Sequence, residues 1–287
     1  MKLIISREAS HFSASDISIA KISLLPINGG DKTAKEKIMD VFEKSIAITS
    51  VALLWQLLPS YGFVDTFLLP PFIRVLEETG QLFLTGEMFE HLAASLTRSC
   101  IGFIIAIGFS IPMGFLMGWF KRCEHIADPL LQIGRNTSTL ALYPVFMLIF
   151  GIGEVAKVAI IVWGTIWPTL LNTISGVKNV DPQLVKQARS MGASKRTLFL
   201  KVVFPVALPS IVTGLRLSAS TALLILVAAE MIGANKGLGF MIFYYQGRYV
   251  IPLMFGGILV MAVLGSIINY LLVRLEKRVT FWREDVA

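Results

Sequence analysis

Apolar runs of roughly twenty residues recur along this chain, separated by short polar segments. A helix needs about 20 apolar residues to cross a bilayer core, and six runs meet or approach that length: 45–63, 97–119, 138–153, 156–177, 206–232 and 251–273. The third is short and carries Pro144, which predicts a helix that is tilted, kinked or partly buried in a bundle. Between the first two runs, residues 70–95 carry Arg74, Glu77, Glu78, Glu87 and Glu90 and predict an amphipathic segment. Residues 1–44 mix charge and polarity without a continuous apolar core, so they read as a polar leader and not a cleavable signal. The transmembrane part is then 45–275, followed by a polar tail at 276–287. The fold class expected from this pattern is an all-α integral membrane protein with six spans.

Inside the second run, Gly102, Ala106, Ser110, Gly114 and Gly118 recur every four residues and form one helical stripe. Lipid gives helices no hydrophobic drive to associate, so a stripe of small residues works by letting another backbone come close. Helix packing is the expectation, against a neighbour in this chain or in a second copy. Pro112 lies beside the stripe and predicts a kink.

The most elaborate polar segment is 181–205, "DPQLVKQARSMGASKRTLFLKVVFP". Asp181 is placed to N-cap a helix, and Pro182 falls where the first turn tolerates proline. Leu184, Val185, Ala188 and Met191 make an apolar stripe, opposite Lys186, Gln187, Arg189 and Ser190. Gly192 falls at a left-handed C-cap. After Ala193, Ser194 can cap a second short helix through Lys195, Arg196 and Leu198 towards Pro205 and Pro209. The predicted object is a helix–Gly–helix knob between two spans. It cannot bury its stripe by itself.

Composition sharpens the class. Of 287 residues, 55% are hydrophobic and 16% charged, against about 25% charged in soluble domains, and the mean hydropathy is +0.71. The formal charge of +7 raises nucleic acid as a partner, but the basic residues flank apolar runs, where lipid and topology place them. With the amino end inside, the inner segments collect every Lys and Arg except Arg74, Arg98, Lys157, Lys236 and Arg248, plus Arg216 within a span. The positive-inside rule then puts both termini and the 181–205 knob in the cytoplasm.

Soluble-enzyme chemistry finds little support. Cys100 and Cys123 are too far apart for a metal or redox motif, and His11, His91 and His125 are scattered. "GIGEVA" at Gly151 to Ala156 imitates a dinucleotide fingerprint, yet it lies at a span boundary with no preceding strand, so it reads as a tight turn. The phosphate-cradling Gly-x-x-x-x-Gly-Lys-Ser/Thr loop is absent from the sequence. If ATP drives this protein, ATP and Mg are bound by another chain, and this chain carries no cofactor and is no enzyme.

Ionisable residues in spans carry a functional presumption. Arg216 and Glu230 qualify; fourteen helical residues separate them by about 21 Å, so they are no direct pair. Arg216 either snorkels towards headgroups and nearby carbonyls or lines a pathway; Glu230 is either an interfacial residue or a gate near the outer mouth. Tyr143, Trp163, Trp167, Thr169, Asn172 and Thr173 combine stacking surface with hydrogen-bonding groups, as pathway lining or as interhelical glue. Trp119 and Trp282 fit interfacial anchors.

The 181–205 segment resembles the loop of ABC importer permease subunits, "E-A-A, any three, Gly, any nine, Ile-x-Leu-Pro", which docks into a cleft of the ATPase. Lys186-Gln187-Ala188, then Arg189, Ser190, Met191 and Gly192 occupy its first part, and Val202, Val203, Phe204 and Pro205 its end. Ala188, Gly192 and Pro205 match outright; Lys186 and Gln187 depart from the Glu-Ala opening. "DPLLQIGR", "FGIGE", "WPTLLNTISGVKNVDPQL", "GLRLSAS" and "LVAAEM" resemble the permeases serving nitrate, sulfonate, taurine and bicarbonate, and the resemblance spans about residues 70–275.

The resemblance implies a type I importer fold in the inner membrane. It further implies two permease copies, usually a homodimer, around a shared pathway, with two cytoplasmic ATPase subunits and an extracytoplasmic substrate-binding protein. ATPase coupling would fall on Lys186, Gln187, Ala188, Arg189, Gly192, Ala193, Ser194 and Pro205, and the cargo would lean towards a small anion. The competing class is a secondary transporter or channel without an ATPase. That class predicts related halves or broken midplane helices, and neither is clear in this sequence.

Overall fold

The computed structural model describes residues 34–280, with side chains described from residue 45. The polar leader before residue 34, together with Trp282 and Arg283, lies outside the described residues. The chain divides into two compact units, Met1–Leu54 and Trp55–Ala287. Among the described residues every regular element is helical: α1 (Ala34–Ser60), α2 (Phe72–Leu84), α3 (Glu87–Trp119), α4 (Lys121–Asn136), α5 (Thr139–Phe150), α6 (Glu154–Lys178), α7 (Pro182–Ser190), α8 (Lys195–Leu198), a π turn (Phe199–Val203), α9 (Phe204–Gly233), α10 (Leu238–Gly247) and α11 (Ile251–Val279).

Four helical stretches among the described residues are long and apolar enough to cross a membrane: Glu87–Trp119, Glu154–Lys178, Lys195–Gly233 and Ile251–Val279. The other two expected runs correspond to shorter apolar helices, Ser45–Ser60 and Thr139–Phe150. The helix of the second run begins ten residues before the run itself, at Glu87, because Glu87 and Glu90 sit in its first turn, where acidic side chains suit the helix dipole. α3 continues through Pro112, as helices in lipid do when neighbours re-satisfy the freed carbonyl.

The centre of the bundle is α6, packed along its length against α3 on one side and α9 on the other. The small-residue stripe of α3 meets α6 of the same chain. A Cβ on Gly102 would lie 2.6 Å from Ile161 Cγ2, one on Gly114 2.6 Å from Thr173 Cβ, and one on Gly118 2.7 Å from Val177 Cβ. Ala106 and Ser110 between them are buried, and the Ser110 hydroxyl donates to the Ile166 carbonyl at 3.1 Å.

On the far side of α6, Ser218 of α9 donates to the Thr165 carbonyl at 2.7 Å, and its hydroxyl lies 2.8 Å from that of Thr169. Since Ser218 has spent its one proton, Thr169 is the donor in that pair. Close backbones plus hydroxyl bonds join α3 to α6 and α6 to α9, and interhelical contact of this kind supplies cohesion where lipid supplies none. At the periphery, Trp55 at the end of α1 donates its indole N–H to the Pro70 carbonyl at 3.1 Å and packs its ring on Phe72 and Phe255. α11 is the least buried of the four long helices.

Candidate functional site

The knob is built by short-range chemistry. The Asp181 carboxylate accepts from the Gln183 N–H at 2.7 Å and Pro182 opens α7. After Met191 the chain reverses at Gly192, whose φ is +77°, a conformation that costs glycine nothing and a β-branched residue much. The Ala193 N–H then donates back to the Ala188 carbonyl at 3.0 Å. Ser194 caps α8 by accepting from the Thr197 N–H at 3.2 Å.

Only one edge of the knob is tethered to the bundle. Val185 packs on the cluster of Phe115, Val177, Val180 and Val203, and Ala188 and Ala193 are half-buried. Leu184 is 43% exposed and Met191 88%. Lys186, Gln187, Arg189, Ser190 and Ser194 are exposed as well.

The second half of the knob differs from the separate short helix expected from sequence. α8, the π turn and α9 run on without a break from Lys195 to Gly233. Pro205 explains the π turn. Its ring would crowd the carbonyl four residues back and it has no N–H to donate; widening the helix by one residue absorbs both. Accordingly the Phe204 N–H donates to Phe199, five residues back. The half-buried Pro205 thus lies inside the continuous helix, whose first turn, α8, is the second half of the knob.

At the opposite end of the same three helices lies a buried ion network. Arg98 of α3 donates Nε and Nη2 to the two carboxylate oxygens of Glu154, the first residue of α6, at 2.5 and 2.9 Å. Its Nη1 donates to Glu230 of α9 at 2.6 Å and to the Lys236 carbonyl at 2.6 Å. Lys157, with a side chain 3% exposed, also donates to Glu154, at 2.9 Å.

Glu230 is 0% exposed. It accepts from the Ser95 hydroxyl at 2.9 and 2.8 Å and from the Gly239 N–H at 2.9 Å. The α9–α10 loop closes over it: the Gly237 N–H donates to His91 Nδ1 at 3.1 Å and the Leu238 N–H to Ser95 Oγ at 2.8 Å. Gly237 has φ +134°, and a Cβ there would lie 2.3 Å from the Glu230 carboxyl. Outside the network, Lys236 pairs with Glu90 at 2.6 Å, and the Tyr245 phenol donates to Glu87 at 3.2 Å. Burial, with the Glu87 carboxylate beside it, pushes that phenol up to about 12.

The pathway candidates from sequence do not converge on one wall. Tyr143 is buried and donates to the Ala229 carbonyl at 3.1 Å. Trp163 and Trp167 stack edge to face at 5.1 Å, and their indole N–H groups lack a hydrogen-bond partner among the described residues. Asn172 donates to the Pro168 carbonyl on its own helix at 2.8 Å. Arg216 is held sideways by Glu276 of α11 at 2.9 Å, with Thr213 on the other carboxylate oxygen at 3.0 Å. Glu230 alone belongs to the network.

Sequence reasoning missed Glu230's partners. Arg98 stands one position inside an apolar run, and the helix that carries it starts eleven residues earlier, at Glu87, which places its side chain within the span. Glu154 lay inside "GIGEVA", whose turn is indeed present, with Gly151 at φ +79°.

An apolar groove of about 540 Å³ runs between α3, α5 and α6, with Glu154 on its lining. Among the described residues, no group of three or more His, Cys, Asp or Glu is placed to hold a metal ion. The three helices thus form a shaft with a knob of open apolar edge at one end and a hydrogen-bonded ion network at the other.

The family model of the binding-protein-dependent transport system inner membrane component matches residues 106–281. The chain belongs to that family. Among its relatives, the aliphatic sulfonates transport permease protein SsuC of Bacillus subtilis (strain 168) is 35% identical over 232 residues, covering 81% of this chain and 84% of the relative. The taurine transport system permease protein TauC of Escherichia coli (strain K12) is 33% identical over 250 residues, covering 84% and 91%. In fold, the permease is similar to a chain of the MetNI methionine ABC transporter solved in an inward-facing conformation, with a TM-score of 0.59 at 19% identity, over 68% of this chain and 98% of that one. The permease is thus the transmembrane subunit of an ABC importer, and ATP hydrolysis belongs to a separate subunit.

Proposed function

We propose that the permease works as a homodimer with two ATPase subunits seated on its knobs and an extracytoplasmic binding protein delivering a sulfonate-class anion. The knob and both termini face the cytoplasm, as the basic residues around them require under the positive-inside rule. ATP and Mg bind the partner. Closure of the ATPase pair carries the knob, and because its second half, α8, is continuous with α9 and α9 packs on α6, which packs on α3, the far end moves with it.

The observation that carries this reading is the exposed apolar edge of the knob, Met191 at 88% and Leu184 at 43%. Water-facing apolar side chains on a segment this polar are what a partner's cleft would bury. The Lys186, Gln187, Arg189 and Ser190 side chains beside them supply a polar rim. The sulfonate class is drawn from the relatives named above and from the two buried cations of the ion network.

Affinity purification of the tagged permease from its native membrane tests the assembly: a P-loop ATPase is expected at one copy per permease. A permease that purifies intact and alone, with uptake preserved, would contradict the reading.

A further inference from the structure

Glu154 is the odd member of the ion network. Its side chain is 62% exposed, while those of the two cations it holds, Arg98 and Lys157, are 8% and 3% exposed. Glu230 is fully buried and keeps Ser95 and the Gly239 N–H as further partners. Glu154 can therefore turn away with its own charge hydrated, and Glu230 cannot; what opposes the turn is the charge left on the two cations.

With Glu154 turned away, Arg98 stays oriented through Glu230 and the Lys236 carbonyl. Its Nε and Nη2 edge and the Lys157 ammonium would then face outward, with two positive charges against the one negative charge of Glu230. Such an excess in a poorly solvated place demands another anion. The free edge of a guanidinium is also the fork that takes two oxygens of a carboxylate, sulfonate or phosphate at once.

Glu154 stands on the lining of the 540 Å³ groove, whose remaining lining is almost wholly apolar and includes Ile101, Phe146, Val158 and Trp163. A ligand that suits both features has an oxyanion head and an apolar tail. We propose that Glu154 is a placeholder carboxylate over an oxyanion subsite made by Arg98 and Lys157, displaced by an organosulfonate whose tail lies in the groove. One anion replaces another, and no covalent bond changes. The choice of sulfonate rests on the cargo class proposed above.

The test is titration of hexanesulfonate into the purified permease–ATPase complex in nanodiscs. Glu154→Gln keeps the size of the side chain and removes the competing charge, so binding should tighten by about tenfold or more over wild type. Adding Lys157→Met to that variant should abolish the gain, and hexylammonium should not bind. Inorganic sulfate should bind Glu154→Gln more weakly than hexanesulfonate does; equal binding would remove the groove from the site. Glu78→Gln, which alters an exposed pair with Arg74 on α2, should match wild type.

Unchanged affinity in Glu154→Gln overturns the proposal. So does failure of both Glu154→Gln and Glu154→Ala to assemble, since Glu154 would then be a structural clamp. If wild type imports no sulfonate while Glu154→Gln still binds hexanesulfonate more tightly, the cargo class fails and the subsite stands.

Discussion

Arg98 and Glu230, 132 residues apart in sequence, meet at 2.6 Å with both side chains buried. The two deletions differ in what they leave: without Arg98 the buried Glu230 has no cation, which costs about 3–5 kcal/mol, and without Glu230 the buried Arg98 and Lys157 share the single carboxylate of Glu154. Glu230→Ala and Arg98→Ala are each expected to lower the thermal midpoint of the detergent-solubilised permease sharply or to abolish expression. The double variant Arg98→Met with Glu230→Met should recover part of that loss, because it leaves no orphaned charge in this pair. A double variant worse than the sum of the two singles would contradict this account.

The close approach of α3 and α6 makes a second prediction. At Gly114 a new Cβ would meet Thr173 Cβ at 2.6 Å and the Leu170 carbonyl at 3.2 Å, whereas at Gly108 on the same helix nothing lies within 4 Å. Overpacking of this kind costs about 1–3 kcal/mol. Gly114→Leu should therefore melt well below wild type, and Gly108→Ala at or above it. Equal melting points would mean that the stripe is not where the shaft gets its stiffness.

Gly192→Val isolates the knob. The left-handed φ of +77° costs an L-residue about 1–2 kcal/mol, confined to a turn that is tethered to the bundle by one edge. The bundle should keep its melting point while binding-protein-stimulated ATP hydrolysis and uptake fall together; Gly192→Asn should retain more of both. Full uptake in Gly192→Val would remove the cap from the coupling mechanism.

Arg216→Ala is expected to do little. The Arg216–Glu276 pair is partly exposed, 35% and 20% at the two side chains, and pairs of that kind contribute about 0–1 kcal/mol. Uptake within about twofold of wild type at normal expression is the expected result. A large loss of uptake with a normal melting point would return Arg216 to the pathway.

What the sequence displayed and what it hid follow from the range of the interactions. Asp181, Gly192 and Ser194 could be read because a cap involves residues two to four apart. The stripe from Gly102 to Gly118 could be read because its period is that of a helix, but its partner α6 could not, since nothing local distinguishes a neighbour in the same chain from one in a second copy. Arg98 looked like one more basic residue at a span end; its burial depends on Glu230 and Glu154, far away in sequence. α10 escaped because Leu238 to Gly247 is apolar all round and shows no helical period. The π turn escaped because Pro205 marks a disturbance without saying how the chain will absorb it.

Labelling of a cysteine at position 191 tests the central claim most directly. Met191→Cys is made with Cys100→Ser and Cys123→Ser, since Cys100 is itself exposed and Cys123 partly so. A membrane-impermeant thiol reagent should leave intact cells unlabelled, label inverted vesicles stripped of the ATPase, and lose that reactivity when the ATPase is added back. Labelling of intact cells from outside, or reactivity unaffected by the ATPase, would contradict the account.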